Sequence, residues 1–231
     1  MQRLLCTLIV TVVATAARAD VIMSAAALNA TLKEMETLQR EAASRAARER
    51  EEALFRLGSE ADALASLMNL EVESHGMQER ELLDLALSRT KELGVGIAYN
   101  RDKKQFFYDG AAFAGYLKAA PGGAHAAAAE FKLLSYQFYQ LSAADTPALL
   151  AAADATTRFL SRYPTFEANA EVRLYVAVDY RDLYRRYTEA REAGNAAKYR
   201  QLAREECLRI ERQYPKTDQA DAARQLLRSL R

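Results

Sequence analysis

The sequence predicts an all-α fold in which a long N-terminal helix leads into a solenoid of helical hairpins, with one small β-hairpin between them. The chain is rich in Ala, Leu, Arg, Glu and Gln, the residues that lose least on entering a helix. Apolar positions recur at three- to four-residue spacing over most of its length, and strand signals are confined to one short stretch. Pro121, Pro164 and Pro215 each cut a run of helix formers at a corner.

The first twenty residues, "MQRLLCTLIVTVVATAARAD", combine Arg3, an apolar run from Leu4 to Ala17 and small residues at Ala17 and Ala19. That is the pattern of a secretory signal over residues 1–19, with cleavage expected between Ala19 and Asp20. The apolar run, roughly 14 residues, is short of the ~20 needed to cross a bilayer. Cys6 does not follow small residues as lipidation requires, so an exported, soluble product is expected. Of 32 Lys and Arg, Arg3 and Arg18 leave with the signal, so 30 face 31 acidic residues. A near-neutral chain without long blocks of one sign carries no footprint for nucleic acid or a membrane surface. About 210 residues suffice for one well-buried domain or two small ones. Cys207 alone remains, so no intramolecular disulfide can form; within "ECLRI" it reads as a small buried hydrophobe.

Residues 20–57 read as the long N-terminal segment, with one helix from Ser24 to Leu57 of roughly 50 Å. Leu28, Leu32, Met35 and Leu38 fall at helical spacing, but "REAASRAARERE" offers only alanines and charges. Such a stripe calls for a partner helix, self-association as a coiled coil, or a solvated helix on its own domain. Gly58-Ser59 is expected to stop that helix and cap the next, Asp62 completing a capping box. Residues 58–108 then hold a helical segment broken at Ser74-His75-Gly76. A second amphipathic helix over Met77–Leu93 has Leu82, Leu85, Ala86 and Leu93 on one face and ends at Gly94. "VGIAYNRDKKQFFYDG" alternates at Val95, Ile97 and Tyr99 and again at Phe106 and Tyr108, around a polar turn at Asn100–Lys103. It predicts a β-hairpin over 95–108 that must lie on the helices.

From Asp109 the chain looks modular. "FAGYLKAAPGGAHAAAAEFKLL", "TRFLSRYPTFEANAEVRLYV" and "LRIERQYPKTDQADAARQLL" each end a helix, turn at proline and restart a helix about five positions on. Proline lacks the amide proton and drives the preceding residue out of helical geometry, so helices stop near Tyr163 and Tyr214. Thr165 and Thr217 are expected to cap the helices that follow. Arg224, Arg228 and Arg231 would line the exposed side of a terminal capping helix. The prolines lie 43 and 51 residues apart. These junctions resemble those of bacterial envelope tetratricopeptide-repeat (TPR) proteins, such as the Tol-Pal-associated cell-division coordinator and the TPR lipoprotein of the outer-membrane assembly machinery. The resemblance covers 109–231 and implies TPR-like repeats and a periplasmic adaptor or scaffold in a Gram-negative envelope. A spacing of 51 exceeds the standard repeat of about 34, so helices within 166–193 must be lengthened.

Little points to catalysis: the sequence holds no phosphate loop, nucleophile elbow, CxxC or HExxH. His75 and Glu79 offer two metal ligands where a site needs three or four; His75 reads as a helix-boundary residue and His125 as a structural detail beside a helix start. No metal, cofactor or enzymatic activity is expected. The most suggestive cluster is "LYVAVDYRDLYRRYTEAREAG". Its Tyr180, Tyr184 and Tyr187 share one helical stripe, Arg181 and Arg185 occupy a neighbouring one, and Tyr136 and Tyr139 add to the candidate surface. Tyr and Arg dominate binding hot spots, which suits an envelope protein or peptide partner; tyrosines at this spacing also pack between helices. Oligomerisation through 24–57 is the companion expectation. The rival is a ligand-binding protein or enzyme with a site at 95–110, around Tyr99, Phe106, Phe107 and Tyr108.

Overall fold

The computed structural model describes residues 23–44, 46–76, 80–140 and 145–230. The signal over 1–19, Glu79 and Arg231 lie outside the described residues. The fold is all-α with one small antiparallel β-hairpin. Residues 19–140 and 141–231 form two separate compact units.

The first unit begins with α1 (Ala25–Ala42), capped by Ser24, whose hydroxyl accepts the Ala27 amide at 3.1 Å. Leu28, Leu32, Met35 and Leu38 are all buried. The single helix expected over 24–57 is instead two, the first stopping at Ala42 and the second starting at Ala47. The Ser44 hydroxyl accepts the Ala46 amide and donates to Glu49, closing the break ahead of α2 (Ala47–His75). Folding back lets α2 supply the partner helix, through Ala53, Leu57, Ala61, Leu64 and Met68. The stripe read as a self-association seam is therefore buried within the chain. Arg56 and Glu34 tie the two helices at 2.6 Å on the surface.

Gly58-Ser59 does not stop a helix: α2 runs through it to His75 and ends at Gly76, at φ +66°. Gly58 serves close packing. A Cβ there would sit 2.8 Å from the Phe113 ring of α4 (Ala111–Ala119), so bare backbone is what lets that ring seat. α3 (Arg80–Glu92) buries Leu83, Ala86 and Thr90. Leu85, expected on the inner face, is 39 % exposed, because α1 and β1 (Ile97–Asn100) pack on the flank rotated away from it. β1 pairs with β2 (Gln105–Tyr108) in the register Ile97↔Tyr108 to Asn100↔Gln105. The Asn100 carboxamide accepts the Asp102 and Lys103 amides to form the turn, and Lys104 takes the left-handed conformation. As expected, the hairpin lies on the helices: the Asn69 carboxamide donates to the Phe106 carbonyl at 3.0 Å and accepts its amide at 2.6 Å. α5 (Ala126–Gln140) completes the unit. The expected array over 109–231 is thus divided, with α4 and α5 packed into the first unit's core through Phe113, Tyr116 and Ala129.

The second unit holds α6 (Thr146–Arg162), α7 (Asn169–Glu189), α8 (Ala193–Gln213) and α9 (Asp218–Ser229). Asp145 caps α6 by accepting the Ala148 amide at 2.9 Å. α7 and α8 are 21 residues each, the lengthening that the proline spacing demanded. Consecutive helices pack in pairs, and α7 also touches α9.

The three proline corners are built alike. Ala120, Tyr163 and Tyr214 have φ of −139°, −125° and −132° and ψ of 68°, 64° and 49°. Each donates its amide to the carbonyl four residues back, on Tyr116, Phe159 and Ile210, at 2.8–2.9 Å. Each then accepts the amide three residues on, from Gly123, Phe166 and Thr217, at 3.0–3.2 Å. Those residues in turn accept from Ala126, Asn169 and Ala220 at 2.9–3.1 Å. The side chains four before and six after each corner residue are all buried. Only the caps differ: Thr217 caps α9 with its hydroxyl, whereas α7 starts after Ala168, too far along for Thr165 to reach it.

Gly58→Ala separates two roles for this glycine. In an exposed helix the change would stabilise by about 1 kcal/mol; against the Phe113 ring, overpacking is expected to cost about 1–3 kcal/mol. Urea unfolding of the variant reads the sign directly, and a gain would show that the ring does not rest on Gly58.

Candidate functional site

α7 carries the tyrosine stripe. Tyr180, Tyr184 and Tyr187 are half-buried and pack around Leu149 of α6, Leu183 and Tyr199 of α8. Tyr187 stacks on Tyr199 with centroids 5.4 Å apart and planes 9° apart, and Tyr180 meets the same ring at 5.9 Å. Lys198 lies over the Tyr199 ring at 5.1 Å. Helical spacing put the three rings on one side; the ring they close on, Tyr199, was missed because it comes from the next helix. Arg181 is held by its neighbour, its Nε donating to Asp182 Oδ1 at 2.8 Å, whereas Arg185 is exposed.

Deeper on α7, Arg173 pairs with Glu206 of α8 at 3.0 Å, both side chains less than a fifth exposed. Arg209 reaches the same carboxylate at 3.0 Å. For a largely desolvated pair of this kind the cost of leaving water offsets much of the Coulomb attraction. Cys207, one residue along α8, is buried, and burial pushes its thiol up to about 12. A thiol so far from ionising is a poor nucleophile.

Tyr136 and Tyr139 sit on α5, in the other unit from the α7 stripe. Tyr136 belongs to a polar knot against the core. Its hydroxyl donates to Asp62 Oδ1 at 2.5 Å, and Lys132 Nζ donates to Asp62 Oδ2 at 2.7 Å. Its ring stands edge-on to Tyr108 at 6.0 Å. Burial, reinforced by the Asp62 charge and hydrogen bond, holds the Tyr136 hydroxyl protonated far above the usual tyrosine range. Burial likewise raises Tyr108 to about 12, against the opposing pull of the Ala112 amide that it accepts. Gly110, at φ +80°, brings the backbone hard against α5, where a Cβ would meet Leu133 at 2.5 Å. Tyr139 is 39 % exposed and stands edge-on to Phe138. Asp62, expected in a capping box, instead accepts these two donors; the signal for it was Lys132 and Tyr136 one helical turn apart.

The two histidines and the 95–110 residues pack within the first unit. Glu71, 1 % exposed, accepts the Met23 amide at 3.0 Å and pairs with His75 Nδ1 at 2.8 Å. His125 stacks on Phe55 at 4.1 Å, and its amide donates to the Tyr116 hydroxyl at 2.9 Å. Among the described residues no three His, Cys, Asp or Glu side chains converge as a metal-ligand set. Phe106 and Tyr108 of the rival 95–110 site are buried, and Phe106 packs on Tyr99 at 4.9 Å. No helix among the described residues is long and apolar enough to cross a membrane. The chain matches no protein-family model, and comparison with curated proteins and with solved structures returns no match.

Both raised tyrosines bear on alkaline stability. Their folded values exceed the ordinary 10.0, so the stability they contribute is whole below that pH and falls above it, for Tyr108 through about 12 and for Tyr136 beyond. Tyr108→Phe and Tyr136→Phe should each flatten this alkaline fall, read by urea unfolding at stepped pH. Tyr136→Phe should also cost about 1–2 kcal/mol at neutral pH through the lost bond to Asp62. An unchanged slope in both variants would contradict the assignment.

Proposed function

We propose that the chain is a non-enzymatic adaptor or scaffold of the bacterial cell envelope, acting in the periplasm after export through a cleaved signal. Its second unit works as a TPR-like repeat that holds a segment of a partner protein. The observation that carries this reading is the repeated corner: at α6–α7 and α8–α9 the corner tyrosines take similar dihedrals and the same succession of backbone hydrogen bonds follows. A module used twice in one unit is how helical repeats extend a surface without redesigning each junction. The resemblance of these corners to envelope TPR junctions supports the compartment. The contact surface is the exposed margin of the α7 stripe, with Arg185 supplying charge and Tyr184 supplying area, whereas Tyr180 and Tyr187 serve mainly to anchor that margin on Tyr199. The buried α1 stripe offers no seam for a coiled coil, so oligomerisation through 24–57 forms no part of the proposal.

Affinity capture from a bacterial envelope extract tests it, with Arg185→Glu as the surface variant and Tyr187→Ala as the packing variant. Reproducible protein partners are expected with the parent chain and lost with Arg185→Glu, while that variant's unfolding midpoint stays within error. Tyr187→Ala should lower the midpoint, since truncating a stacked ring forfeits about 0.5–1.5 kcal/mol beyond its buried area. Capture that survives Arg185→Glu unchanged would remove the α7 margin as the binding surface.

A further inference from the structure

The hairpin is finished on one edge and open on the other. Asn69 takes both the amide and the carbonyl of Phe106, so these groups point away from β1. Phe106 pairs with Tyr99 in the register, which makes Tyr99↔Phe106 a pair that exchanges no backbone bonds. The Asp109 amide donating to the Gly96 carbonyl at 2.8 Å falls on the alternate, bonded positions and fixes the same phase. The Tyr99 amide and carbonyl must therefore face outward from β1. Among the described residues neither has a hydrogen-bond partner. The chain thus uses a side-chain amide to complete the β2 edge and leaves the β1 edge as a short template. Unpaired strand edges recruit extended chains.

Charge narrows the occupant. The turn that closes the hairpin is Arg101, Asp102, Lys103 and Lys104, with Arg101 and Lys104 exposed and Lys103 drawn over the Phe107 ring. Three cations against one anion leave the turn that follows β1 positively charged. We infer that the β1 edge docks an extended, acidic segment of a partner protein, its backbone bonding Tyr99 and its carboxylates facing Arg101 and Lys104. This surface belongs to the first unit and is independent of the α7 margin.

The test uses the full chain and a blocked octapeptide alternating glutamate and valine. Its controls are the lysine–valine counterpart and the acidic peptide methylated on alternate amide nitrogens. The acidic peptide should bind saturably and slow hydrogen exchange of the Tyr99 amide at least about tenfold. The methylated and lysine peptides should not, and Arg101→Glu with Lys104→Glu should weaken binding about tenfold. The inference fails if the acidic peptide leaves Tyr99 exchange unchanged, or if the lysine peptide binds equally well. It also fails if Tyr99 is protected without peptide in step with protein concentration and dimer mass, which would make a second copy the occupant.

Discussion

The amide that proline lacks is the constraint on which the helical layout turns. At Ala120, Tyr163 and Tyr214 the helix has to stop, because the next residue can neither donate to the ladder nor tolerate a helical neighbour. What the structure adds is how little is wasted at the stop. The corner residue still bonds backward to the last turn, its carbonyl is taken by the next turn, and the residue after that turn opens the following helix. The corner residue takes similar dihedrals each time and the same three backbone bonds follow, although the helices after it begin at different offsets. Side chains exploit that constancy: an aromatic or Ile closes below the bend, and a small residue or Asn begins the new helix inside the core. At the second corner that residue is Asn169, whose side-chain Nδ2 donates to the Tyr163 carbonyl at 2.9 Å.

The first unit solves a different problem, that of seating a two-stranded sheet on helices. Four strand residues per arm cannot hold themselves together, so α2 reaches in at Asn69 from one side while Tyr108 and Phe106 sink into the core. The polar groups that this brings inside are answered locally. Tyr108 accepts the Ala112 amide, Tyr116 that of His125, and Asp62 ties α2 to α5 through Lys132 and Tyr136. Each bond joins two elements that apolar packing alone would leave free to slide.

Much of this was legible residue by residue, and the losses have physical causes. Periodicity found the buried face of α1, the hairpin and its turn, and the prolines marked the corners, because these are local signals. Gly58 misled because a glycine that ends a helix and one that admits a neighbouring ring look identical in sequence; only Phe113, far along the chain, decides. The break before α2 was hidden in a run of alanines and charges where Ser44 and Glu49 were the sole sign. The tyrosine stripe was read from α7 alone, and nothing local could say that Tyr199 would arrive to pack against it. Leu85 fell on the wrong side for the same reason: two neighbours chose the flank of α3 that they would use.

The bonds that close the two units differ in reach. In the first, Asp62 waits for Tyr136 across 74 residues, Glu52 for His125 across 73, and Met23 for Glu71 across 48. In the second, Arg173 finds Glu206 across 33 and Arg200 finds the Leu230 carbonyl across 30. Loop closure over short spans costs less entropy and is met sooner. A chain emerging N-terminus first therefore exposes α1 and α2 early yet cannot finish their core until α5 is out. The second unit's bonds close over shorter spans. The order in which the chain is made and the order in which it becomes compact run partly against each other, and the Asp62–Tyr136 bond is where that delay is stored.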